Sequence, residues 1–65
     1  MTQEDDVLLA TFYLDRYGQR LRAYNMLQLQ LMSAYIRRGG TPDGWCARYA
    51  QAFRRRFGWM LGEST

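Results

Sequence analysis

The sequence predicts an all-α protein, a helical hairpin made of one long helix and one shorter helix. Three observations point there. Apolar residues recur three and four apart from Val7 to Tyr35, a paired glycine interrupts the pattern at Gly39-Gly40, and an aromatic-rich helical pattern follows from Trp45 to Leu61. The expected helices span roughly residues 4–38 and 42–61, within a single domain covering residues 1–65.

The first helix opens with a capping hydroxyl at Thr2 and with Glu4, Asp5 and Asp6, which suit the positive end of the helix dipole. Its stripe consists of Val7, Ala10, Leu14, Tyr17, Leu21, Tyr24, Gln28, Leu31 and Tyr35. Such a seam packs lengthwise against another helix. Gly18 lies within it, and a mid-helix glycine costs about 1 kcal/mol relative to alanine. Because the seam stays in phase across Gly18, a continuous or mildly bent helix is expected. A break giving three helices is the alternative.

Arg37 and Arg38 suit the negative end of this helix, and Gly39-Gly40 stops it. Thr41, Pro42 and Asp43 then restart a helix as cap, first helical residue and first-turn acid. Trp45, Cys46, Tyr49, Phe53, Phe57, Met60 and Leu61 project as one broad face and are expected to form core, with Gly62 as terminator. Arg48, Arg54 and Arg55 fall elsewhere, with Arg56 at the edge. Trp59 projects away from the core face, beside arginines.

The lengths do not match. At about 1.5 Å per residue the helices would measure roughly 50 and 30 Å. A hairpin therefore leaves Val7–Leu14 without an intrachain partner. Val7 and Leu14 lie on the seam while Leu8 and Phe12 lie on another side, so the segment is apolar nearly all round and calls for cover nearly all round. Val7, Leu8, Phe12, Tyr13, Leu14 and Tyr17 are the expected protein interface. A break at Gly18 would instead let this segment cap the hairpin from within.

Composition narrows the function. A 65-residue chain has a small core and needs outside support, from a disulfide, a metal or a partner. Cys46 is the single cysteine and there is no histidine, which excludes an internal disulfide and argues against a metal site. That leaves association with itself, as a homodimer, or with another protein. The commonest general base is absent, the acids sit mostly at helix ends, and no strand precedes the glycines as a phosphate loop requires. No enzyme activity and no cofactor are expected. An acidic amino terminus differs from the basic start of a signal peptide, and the longest uncharged run, residues 23–36, is too short to span a bilayer. A cytoplasmic protein is expected.

All nine basic residues are arginine, in a net charge of +3. Arg48, Arg54, Arg55, Arg56 and Trp59 offer bidentate groups and a stacking surface to an acidic partner or to nucleic acid. The acidic amino terminus and modest charge weigh against nucleic acid. The second helix is aromatic and basic, as membrane-surface helices are, but its apolar face is better used against the first helix.

The connection Arg38-Gly39-Gly40-Thr41-Pro42-Asp43-Gly44-Trp45 resembles the hairpin turn of small co-chaperones of type III secretion needle subunits. The resemblance implies a bacterial helical hairpin that works with a second chaperone to keep the needle subunit unpolymerised. Small helical inhibitors of bacterial machines, including phage-encoded anti-defence proteins of the anti-CRISPR kind, belong to the same protein-binding class.

Overall fold

A computed structural model describes residues 3–62 of the chain. It is all-α, with α1 at Gln3–Tyr17, α2 at Arg20–Arg37 and α3 at Pro42–Phe57, closed by a terminal 3-10 turn at Gly58–Leu61. The cap expected at Thr2 lies outside the described residues.

The chain takes the three-helix alternative, and the continuous first helix is not formed. Gly18 adopts φ +62 while its N–H still donates to the Leu14 carbonyl at 3.0 Å. Gln19 is extended, and its carbonyl accepts from the Ala23 N–H at 2.9 Å. The largest extent of the fold is 31 Å, too short for the roughly 50 Å of a straight helix over 4–38. The physical reason is burial. Folding back buries Ala10 completely and packs Leu9, Tyr13 and Leu14 against the core. Even partial burial of three large side chains stabilises by several kcal/mol, at about 1.5–3 kcal/mol each when complete. Interrupting the helix forfeits hydrogen bonds worth about 0.5–1.5 kcal/mol each. Burial wins.

α2 is the central element, and α1, α3 and the terminal turn all pack on it. The core consists of Ala10 of α1, Ala23 and Leu27 of α2, Trp45, Phe53 and Phe57 of α3, and Met60 of the terminal turn. Aromatic contacts join the layers. Tyr24 meets Phe53 edge-on at 5.0 Å, and Tyr35 meets Tyr49 at 5.5 Å.

The turn between α2 and α3 follows its local chemistry. Gly39 takes φ +101, and the N–H groups of Gly39 and Gly40 donate to the carbonyls of Ile36 and Tyr35. A Cβ on Gly40 would lie 2.1 Å from the Tyr35 ring, so that position needs glycine for space rather than for φ. The Thr41 hydroxyl accepts from the Gly44 N–H at 3.0 Å, and Pro42 opens the helix. At the far end, Gly62 at φ +75 terminates the 3-10 turn as the sequence indicates.

Two expected core residues are exposed. Cys46 is exposed, and so is Tyr49. Along the row Cys46, Ala50, Phe53, Phe57 and Met60, burial rises from exposed through half-buried to complete. Trp45, at the start of α3, is nevertheless buried, so the cover there takes in Trp45 and leaves its neighbours Cys46 and Tyr49 in solvent. The seam also fails at two members. Val7 and Leu21 are exposed, because α1 and α2, once separated, each choose their own face.

Candidate protein-binding surface

α1 contributes the largest change to the expected interface. Its inward row is Asp6, Ala10, Tyr13 and Tyr17, flanked by Leu9 and Leu14. Tyr13, Leu14 and Tyr17 are therefore half-buried inside the fold, with Tyr13 stacked on Tyr17 at 5.8 Å and the Arg22 guanidinium 5.7 Å above the Tyr17 ring. On the opposite side, Leu8 stays 68% and Phe12 55% exposed, and Val7 is exposed between the two faces. Leu8 and Phe12 are four apart and so stand one above the other. The interface expected from the sequence thus splits. Val7, Leu8 and Phe12 remain available to a partner, while Tyr13, Leu14 and Tyr17 serve α1–α2 packing.

α2 adds a stripe that the sequence reading did not single out. Leu21, Leu29 and Ile36 are exposed, and at about 100° per residue they fall on one side, away from Ala23 and Leu27. The signal was present, since these residues share a helical face. It was hidden because Leu21 also belongs to the longer seam. A 65-residue fold with this many large apolar side chains in solvent differs from a monomer with singly scattered ones.

The arginine set also divides. Arg56 is not free: its Nη1 lies 2.9 Å from Oδ2 of Asp6, a carboxylate whose residue is only 8% exposed. Sequence neighbours gave no hint of this pair, because its members sit on the first and last helices. Arg48 and Arg55, with Ala52 between them, form one row of α3, while Arg54 projects to another side. Trp59 is 42% exposed, in agreement with its projection away from the core. Between α2 and α3 runs a groove of about 420 Å³ whose walls include Tyr35, Tyr49 and Phe53, with Arg38 and Arg56 also lining it. Its rings are already engaged with one another, Tyr35 on Tyr49 and Trp45 on Phe53.

Among the described residues no cluster of potential ligands could hold a metal ion, and no helix is long and apolar enough to cross a membrane. The chain matches no family model, no curated protein and no solved structure.

Proposed function

We propose that the protein is a small non-enzymatic binding module that acts by helix–helix packing, with the outer face of α1 as its docking surface. The observation that carries this reading is the pair Leu8 and Phe12, left in solvent after the fold has packed the inward row of α1. Large apolar side chains paired on one helical face are characteristic of helix-in-groove and helix–helix association. A second copy of the chain is the first partner, since an isologous contact pairs each such patch with itself. The resemblance of the turn to secretion co-chaperones, and the inhibitor reading, name foreign partners of the same class, and the cytoplasm is the compartment in which we place it.

The test is self-association at micromolar concentration. Leu8→Asp or Phe12→Asp breaks it, whereas Arg55→Ala leaves it intact. A wild-type chain that is monomeric, together with an equally monomeric Leu8→Asp, removes the reading. Nucleic-acid binding is a second reading, favoured by the row Arg48 and Arg55 beside an exposed Trp59. It predicts binding of short RNA or DNA that weakens steeply with salt, and absence of a shift at low salt eliminates it.

A further inference from the structure

We propose that this chain holds in reserve a second, exchanged dimer, shut off in the wild type by Gly18, in which position 18 straightens, α1 and α2 merge into one helix, and α1 of each copy packs on α2 of the other. Three independent observations lead there. First, Val7, Ala10, Leu14, Tyr17, Leu21, Tyr24, Gln28, Leu31 and Tyr35 keep an unbroken three-four alternation across the hinge, which is four heptads of coiled-coil spacing. The closed fold does not use that continuity, and it leaves Leu21, the seam member beside the hinge, at 63% exposure. Second, the hinge is only Gly18 and Gln19, and the Gly18 N–H already makes the hydrogen bond that a continuing helix requires, to the Leu14 carbonyl. Third, the contacts that α1 makes away from the hinge, including the Asp6–Arg56 ion pair, are ones that a second copy also offers.

The exchanged form therefore keeps the core contacts of α1 away from the hinge and replaces two short helices by one long one. Short hinge loops favour this kind of exchange. What holds the wild type closed is glycine itself, which adopts φ +62 without a Cβ penalty. The exchange leaves Leu8 and Phe12 outward, so it goes beyond the docking face proposed above and does not depend on it. The two are separable because Leu8→Asp removes association through the docking face and spares exchange.

Position 18 permits a clean test. A Cβ there meets nothing within 4 Å, so only backbone conformation is perturbed. L-alanine is penalised in the left-handed region and favoured in a helix, which together shift each hinge by roughly 30-fold toward the straight form. Two hinges per dimer raise the dimerisation constant by about three orders of magnitude on the same grounds. D-alanine has the same atoms and the opposite preference. Two synthetic full-length chains, both carrying Leu8→Asp to silence the docking face, one with Gly18→Ala and one with D-alanine at the same position, are compared by light scattering and circular dichroism. The expected result is a helical dimer for L-alanine and a monomer for D-alanine. Equal masses for the two chains, or an L-alanine chain that is monomeric whether folded or not, overturn the proposal. Exchange is distinguished from any other dimer by combining Gly18→Ala with Asp6→Arg in one chain and with Arg56→Asp in another. Only exchange between unlike chains restores both ion pairs, so native mass spectrometry of the mixture is expected to show the mixed dimer almost alone. A statistical mixture contradicts exchange.

Discussion

Leu8→Asp separates folding from binding more sharply than any other single change. In the isolated fold the side chain is 68% exposed, and a substitution at such a site changes stability by no more than about 0.5 kcal/mol. In a complex that covers it, the remaining two-thirds of a leucine is worth about 1–2 kcal/mol at the usual 1.5–3 kcal/mol for complete burial. A two-fold interface counts that contribution twice, giving about 2–4 kcal/mol, or a dissociation constant raised roughly 30- to 1000-fold. Desolvating the new carboxylate adds to the loss. Sedimentation velocity reads the association and thermal denaturation by circular dichroism reads the fold. Ala10→Asp is the matched comparison, because it puts the same charge two residues away at a position with no exposure and is expected to unfold the chain outright. Association weakened less than about threefold by Leu8→Asp, or a fold lost as badly as in Ala10→Asp, would refute the placement of Leu8 on a docking face.

Three further outcomes test the fold beneath that surface. Leu27→Ala, at a position without exposure, is expected to cost about 2–5 kcal/mol in urea denaturation, whereas Leu29→Ala on the outer side of the same helix costs under about 0.5 kcal/mol. Arg56→Ala strands the buried Asp6 carboxylate and is expected to cost about 1–3 kcal/mol, more than Asp6→Asn, which keeps an acceptor for the guanidinium; equal costs would show that the pair is merely solvated. Gly40→Ala must displace the Tyr35 ring from its contact with Tyr49 and is expected to lower stability by about 1–3 kcal/mol, seen as a changed near-ultraviolet tyrosine signal alongside the denaturation curve.

The legible parts of this fold are those decided by near neighbours. The turn from Arg38 to Gly44 was readable residue by residue, because capping hydroxyl, first-position proline and left-handed glycine each act within one helical turn. The same holds for Gly62. The break at Gly18 was not decided locally. A continuous seam and a fold-back give the same periodicity on either side, and the choice turned on whether α1 gains more by burying Ala10 and Leu14 than by prolonging its hydrogen bonds. The Asp6–Arg56 pair was hidden for a related reason, since pairing rules for neighbours on one helix say nothing about residues on different helices. Cys46 and Tyr49 share a helical face with the buried Trp45, Phe53 and Phe57 yet stay exposed, because a shared angle on one helix does not say which of its residues a neighbouring element reaches. Leu8, Phe12 and Trp59 point away from the buried faces of their helices and are exposed, as their angular positions indicate.

The measurement that bears most directly on the proposed function is the solution mass of the wild-type chain by light scattering over a micromolar concentration series, run beside Leu8→Asp. The docking face predicts a wild-type mass that climbs from 7.7 kDa toward twice that value while Leu8→Asp stays at 7.7 kDa. A wild-type mass fixed at 7.7 kDa throughout, identical to that of the variant, would contradict it.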